Sequence, residues 1–266
     1  MQAFIRNAKY SDIVKKIGAH HHDTHQIIYV LNGSAQITVN SESYRLESGS
    51  LIFIGRTESH SIDFVGESYE RYEIRISPEI LNSAVKDNRL YSVLSNRPAG
   101  FNRVINLQTP ELVYIFKKIT EEFNGSSCYK EEMLSMLLDM LFVTVYRSFP
   151  EMFSVTCIPY FETVNKIQRQ FESDIGKAYS LSELAAEYHI SKYYLSHIFK
   201  TVTGYSVMGY LKSLRIAKAK ALLTKTDKNI GEIVKICGFS DSNNFSREFK
   251  IQTGLTPSDF RKNRYF

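Results

Sequence analysis

Cysteine is scarce. Cys128, Cys157 and Cys237 are odd in number and widely spaced, which gives neither a disulfide scaffold nor a zinc-ligand pattern. A reducing cytosol is the simpler home. Long apolar runs are also missing. The opening "MQAFIRNAKYSDIVKK" holds no stretch long enough for a signal peptide. "MLSMLLDMLFVTVY" is strongly apolar but short for a membrane span, and it carries Asp139. It reads as a helix buried by protein, at a subunit contact. No Ser-His-Asp order, phosphate-cradling glycine loop or nucleotide fingerprint occurs. No catalytic residue and no cofactor is therefore expected.

What is present is unevenly spread. The chain has 266 residues, 43% of them hydrophobic, enough for one large or two modest cores. From Phe161 onward, 17 Lys and Arg face 10 Asp and Glu, a net of +7; the residues before it carry 16 against 18, a net of −2. A basic back half attracts phosphate polyanions or an anionic surface.

Residues 26–76 have the grammar of strands, with short β-branched and aromatic runs cut by "NGS", "NSES" and "ESGS". "AQITV" alternates as a half-buried strand does, and "YERYEIRIS" reads as another strand. Crossover helices have no room between them, which predicts a small barrel or sandwich. From Pro110 to about Phe149 the period becomes helical, and Pro150 and Pro159 flank a stretch without steady period, read as a linker.

The last region repeats itself. "LAAEYHISKYYLSHIFKTVTG" from Leu184 aligns with "IVKICGFSDSNNFSREFKIQTG" from Ile233. Ile190 and Ser191 match Phe239 and Ser240. After one extra residue, Leu195, Ser196, Phe199, Lys200 and Gly204 match Phe245, Ser246, Phe249, Lys250 and Gly254. Each copy reads as a short helix, a turn and a second helix. Ser191 and Ser240 are the expected caps of the second helices, and Gly238 suits a turn with positive φ. A second helix of this kind can lie in a major groove. Its outward residues are Lys192, Tyr193, Ser196, His197 and Lys200 in the first copy, and Asp241, Ser242, Asn243, Ser246, Arg247 and Lys250 in the second. Arg247 can fork onto guanine, while Lys200 and Lys250 suit phosphate. "SVMGYLKSLRIAKAKALLTKT" reads as one long helix that fixes the spacing between the two copies.

Phe161 to Tyr265 resembles the DNA-binding domain of the AraC/XylS family of bacterial transcription regulators. "IGEIVKICGFSDSNNFSREFKIQTGLTPSDFRKNR" carries the "GFSD", "FK", "TG", "TP" and "FR" elements at that family's spacings, and "LRIAKAKALL" matches the preceding helix. The resemblance implies that both helix-turn-helix units face DNA, with Lys192, Tyr193, Ser196 and His197 in the first and Ser242, Asn243, Ser246 and Arg247 in the second. Asn244 departs from the pattern, where an aromatic is usual. Pro257 would start the last helix, and Arg261 would pair within the core or with phosphate.

The front also resembles a family. "HHHDTHQIIYVLNGSAQITVNSESYRLESGSLIFIGRTESHSI" looks like a cupin-type sensor domain, and His20, His22, Gln26 and His60 fall on that family's metal-ligand positions. Gln26 replaces the usual glutamate, a weak uncharged ligand for a divalent ion. Three readings stay open: a metal held by His20, His22 and His60; an organic-ligand pocket lined by His20, His22, Gln26 and His60; or structural histidines. His21 and His25 fall off the pattern and are expected at the rim or surface.

The sequence thus predicts a cupin-like sensor barrel over 1–80, a helical extension over 81–150 that joins subunits, a linker over 151–160, and an all-α double helix-turn-helix DNA-binding domain over 161–266. The expected function is a sequence-specific, ligand-responsive transcription regulator, inclined to activation. The rivals are a metal-dependent enzyme in the barrel and a DNA-organising protein that senses nothing. Expected partners are double-stranded DNA, a small effector and a second copy of the chain, with RNA polymerase a further candidate and no membrane. The expected location is the cytoplasm.

Overall fold

The computed structural model describes residues 4–12, 16–20, 23–82 and 88–262. They form two compact units, Met1–Cys157 and Ile158–Phe266.

The first unit is built on one antiparallel sheet. Its strands are β1 (Ile5–Ser11), β2 (Ile17–His20), β3 (His25–Val39), β4 (Glu42–Leu46), β5 (Ser50–Ile54), β6 (His60–Ile76) and β7 (Val104–Asn106). The order is β1-β6-β3-β5-β7, with β2 added to β6 and β4 to β3. Long β3 and β6 pair along most of their length, interrupted by irregularities at Val30/Asn32 and Gly33/Ala35. Gly33 has φ 82°, and a Cβ there would stand 1.9 Å from the Ser68 carbonyl oxygen, so only glycine fits this bend. The bend divides the sheet into two leaves. β1, β5 and β7 extend one; β2 and β4 extend the other.

This arrangement corrects the expected cupin-like barrel. The sheet is open, with β1 and β7 as its ends and no ladder joining them among the described residues. Each leaf takes its outer strands from a different half of β3 and β6, so the hydrogen bonding never runs round. Strand spacing in the sequence could not separate the two outcomes, because open and closed sheets differ only in how the end strands pair.

Both faces of the central strands are buried, which explains the unbroken apolar runs "QIIYV" and "SLIFI". Ile27, Tyr29, Leu51, Phe53 and Ile74 face α2 (Pro110–Asn124) and α3 (Lys130–Ser148), while Ile28, Val30, Ile52 and Ile54 join Ile37, Val39, Leu46 and Ile62 on the inner face. Tyr29 stacks on Phe116 with 5.1 Å between ring centres. Short α1 (Asn88–Tyr91) covers the same side, and the Tyr91 hydroxyl donates to Asp139 at 2.6 Å. The one acid in the apolar stretch of α3 is thereby satisfied. No helix among the described residues is long and apolar enough to cross a membrane. The opposite side of α3 exposes Met133, Met136 and Met140.

The second unit is helical: α4 (Phe161–Ser173), α5 (Leu181–Glu187), α6 (Lys192–Thr203), α7 (Val207–Lys225), α8 (Ile230–Ile236), α9 (Ser242–Thr253) and α10 (Pro257–Lys262). Long α7 carries one core on each flank. Tyr210 meets Phe199 of α6, and Ile216, Ala219 and Leu223 meet Ile233, Cys237, Phe245 and Phe249. Cys237 is buried there, whereas Cys128 and Cys157 are exposed.

Candidate functional sites: paired helices and a buried polar stripe

In each half of the repeat a short helix turns into a second one through a residue with positive φ, His189 at 54° and Gly238 at 72°. The cap that follows differs. Ser191 accepts the Tyr194 N–H at 3.1 Å and caps α6. α9 is capped by Asp241, which accepts from the N–H groups of Asn243 at 2.9 Å and Asn244 at 2.8 Å. The expectation of Ser240 is thus corrected: the extra residue in the second turn moves the cap by one, and Ser240 instead donates to Asp241 at 3.2 Å. The Asn244 N–H and the other donors hold the Asp241 carboxyl below the ordinary range.

Beyond the caps, α6 and α9 present the same surface. Leu195 and Phe199 are buried in one, Phe245 and Phe249 in the other. Lys192, Tyr193, His197 and Lys200 are exposed with Ser196 half-buried; Ser242, Asn243, Arg247 and Lys250 are exposed with Ser246 half-buried. The patterns part only at Ile198, which is buried, and Glu248, which accepts from Lys212 at 3.1 Å. Tyr193 is 84% exposed, too open for a core residue, while Tyr194 packs on Tyr160. Asn244, the departure noted above, accepts from Arg247 Nη2 at 3.4 Å. Pro257 begins α10, and Arg261 donates to the Lys228 carbonyl.

The first unit holds a second constellation that sequence reasoning missed. On β6, Tyr69, Arg71, Glu73 and Arg75 alternate with apolar Tyr72, Ile74 and Ile76. A charged stripe beside an apolar one normally marks the solvent face. Here it faces inward: Arg71 pairs across with Val30, Glu73 with Ile28 and Arg75 with Gln26. Tyr69, Arg71 and Glu73 are at most 3% exposed. Arg71 Nε reaches Glu73 at 2.8 Å, Lys9 reaches it at 3.3 Å, and the Arg71 guanidinium lies 4.7 Å over the Tyr69 ring. The Tyr69 hydroxyl, Gln26 Oε1 and Arg75 Nε find no hydrogen-bond partner among the described residues. Burial keeps the Tyr69 hydroxyl protonated, so it is a donor. Such groups are costly to bury unsatisfied.

Two of the predicted histidines join this face. His20 and His60 stand across from each other with 4.3 Å between ring centres. Burial, then the neighbouring His20, lowers His60 to about 4, and Arg75 adds to the shift. His22 and His21 lie outside the described residues. Among the described residues no three His, Cys, Asp or Glu side chains gather to hold a metal. His25, expected at the rim, is instead 2% exposed. It starts β3 on the side of Ile27, and burial, reinforced by Arg56 and Arg97, lowers it to about 3.

Comparison with known proteins matches both parts of the chain. Residues 184–263 match the helix-turn-helix domain family and residues 11–137 match the AraC-like ligand binding domain family. The chain is a sequence-specific DNA-binding transcription regulator with a ligand-binding front domain. It is similar to the HTH-type transcriptional activator RhaR of Yersinia pestis, 24% identical over 244 residues, 91% of this chain and 84% of that one. RhaR of Cronobacter sakazakii is 25% identical over 248 residues, 91% and 86% of the two chains. The fold is shared with ToxT of Vibrio cholerae, TM-score 0.63 at 16% identity, covering 98% of each chain. An unsaturated fatty acid-bound ToxT superimposes with a TM-score of 0.61 at 18% identity, over 98% of this chain and 97% of that one. The matched families are a DNA-binding and a ligand-binding domain, which favours the regulator over the metal-dependent rival. Its ligand-binding domain, however, is the open two-leaved sheet described above and not a cupin barrel.

Proposed function

We propose that the regulator binds promoter DNA through Lys192, Tyr193, Ser196, His197 and Lys200 of α6 and Ser242, Asn243, Ser246, Arg247 and Lys250 of α9. The matched exposure of two helices with different sequences carries this reading. Their buried positions are apolar and interchangeable, while their outward positions are polar and distinct, as two readers of different base pairs require. At 19 residues, α7 spans about 28 Å, and successive major grooves lie roughly 34 Å apart. The regulator acts as an activator, as the curated names of its RhaR relatives support.

The effector is a small molecule held on the inner face of the sheet by Gln26, His60, Tyr69 and Arg75, with His20 at its edge and His22 a further candidate. Arg75 and Tyr69 offer donors and Gln26 an acceptor among apolar neighbours, which suits a small organic acid bearing a hydroxyl. The regulator acts as a homodimer through the methionine face of α3, in the cytoplasm, and contacts RNA polymerase. Effector binding favours one of two arrangements of the protein, and only a difference in affinity between them can switch transcription. Genome-wide mapping of bound DNA, with and without candidate organic acids, tests the proposal. Promoters bound and transcribed equally in both conditions would reject the sensing part. Absence of any preferred sequence at fixed salt would reject the DNA-reading part.

A further inference from the structure

We infer that Arg215 is a positioning residue that sets the separation at which the two helix-turn-helix units meet DNA. It sits midway along α7, where three segments converge. Nε donates to the Ile175 carbonyl at 3.1 Å and Nη2 to the Lys177 carbonyl at 2.7 Å. Both acceptors belong to the connection that leads into α5, the first helix of the first helix-turn-helix. The guanidinium also meets the turn of the second helix-turn-helix: its carbon lies 5.9 Å from the centre of the Phe239 ring, and a Cβ at Gly238 would stand 2.8 Å from Nη2. The same two backbones touch directly. A Cβ at Gly238 would be 2.6 Å from the Gly176 carbonyl oxygen, and one at Gly176 would be 3.2 Å from that of Ile236. Glycine at both places lets the connection and the turn meet.

The geometry has a mechanical consequence. A helix joining two bodies fixes their distance, but each body can still roll about its own packing seam on that helix. A second attachment away from the seams removes this freedom. Arg215 supplies it, because one planar guanidinium serves two carbonyls and lies against an aromatic ring. A lysine ammonium is a point charge and cannot hold both directions. Burial lowers the Arg215 pKa without making it neutral near pH 7, so the clamp is insensitive to ordinary pH.

The inference rests on the reading that α6 and α9 both contact DNA. Its test uses the full chain and a duplex selected from a random library by the unaltered protein. Affinity is measured for that duplex, for versions with one base pair added or removed between the half-sites, and for a duplex with one half-site only. The unaltered protein is expected to prefer one spacing by at least about tenfold, ~1.4 kcal/mol. Arg215→Ala is expected to lose about that factor on the selected spacing, to keep single half-site binding within about threefold, and to discriminate little among spacings. Arg215→Lys should fall between. A spacing profile unchanged in shape, with all duplexes weakened equally, would overturn the inference and leave Arg215 a purely structural residue. If Arg215→Ala fails to fold by circular dichroism, Arg215→Lys decides: an unaltered profile overturns the inference, a flattened one supports it. Failure of the unaltered protein to prefer any spacing would instead reject paired contact by α6 and α9.

Discussion

Arg103 and Glu58 meet through two parallel hydrogen bonds, Nη1 to Oε2 at 2.6 Å and Nη2 to Oε1 at 2.9 Å, with both side chains buried. Arg97 adds a second fork at 3.2 Å to each oxygen. Burial alone would push the Glu58 carboxyl up, but the two guanidiniums win and hold it at about 2. The pair ties the loop after β5 to the segment around Val93 and Leu94 and to the approach to β7. Glu58→Gln is expected to cost about 3–5 kcal/mol, since it strands the buried Arg103 cation and leaves the half-buried Arg97 short of its charged partner. Urea denaturation should register the loss; a change below about 1 kcal/mol would show that the arginines find other partners.

The buried histidines set an acid limit. Folded values near 3 for His25 and near 4 for His60 lie below the ordinary 6.5, so the unfolded chain binds more protons between. Their contribution is complete above pH 6.5 and fades as pH falls toward those values. The melting temperature should therefore drop from pH 7 to pH 5. His25→Leu should flatten that slope even where it changes stability at pH 7; an unaltered slope would count against a buried neutral His25.

Base reading and phosphate contact separate by their salt and sequence dependence. Arg247→Ala should cost about 1–3 kcal/mol and relax preference at a single base position. Lys200→Ala should weaken all duplexes alike and lower the salt slope by about one. Electrophoretic or fluorescence titration over a salt series distinguishes them. If Arg247→Ala weakened every sequence equally, Arg247 would be a phosphate ligand.

The two caps offer a paired test. Ser191→Ala and Asp241→Ala should each cost about 1 kcal/mol, while Ser240→Ala should stay within about 0.5 kcal/mol. Thermal melting of the three variants checks the one-residue shift of the second cap. Equal losses at Ser240 and Asp241 would contradict it.

The methionine face of α3 gives a prediction about assembly. Met136 is 59% exposed between Met133 and Met140. Met136→Glu should shift the protein to monomer in sedimentation equilibrium with no loss of melting temperature beyond that due to dissociation. A dimer undisturbed by the charge would place the subunit contact elsewhere.

The paired helices were legible because helix-turn-helix architecture is local. Leu195, Phe199, Phe245 and Phe249 repeat at helical spacing, and their burial follows from that period alone. The sheet was legible as strands but not as an open one, since closure depends on pairing between segments far apart, and the bend at Gly33 is specified by a contact with Ser68. The charged stripe of Arg71, Glu73 and Arg75 was missed for a physical reason. Alternation reveals which residues share a face, but not which face is covered, and here both are. His25 was misjudged in the same way: its burial comes from the cover over the sheet and not from its own neighbours in sequence.

The distribution of thiols has a practical use. Cys237 is sealed among Phe245, Phe249 and Ile233, and burial raises its pKa to about 12, which leaves almost no reactive thiolate near neutrality. Cys128 and Cys157 stand open to reagents. A maleimide probe will therefore label the ligand-binding unit and its boundary while sparing the DNA-reading unit. With Cys128 replaced, a single fluorophore on Cys157 marks the last residue of the first unit.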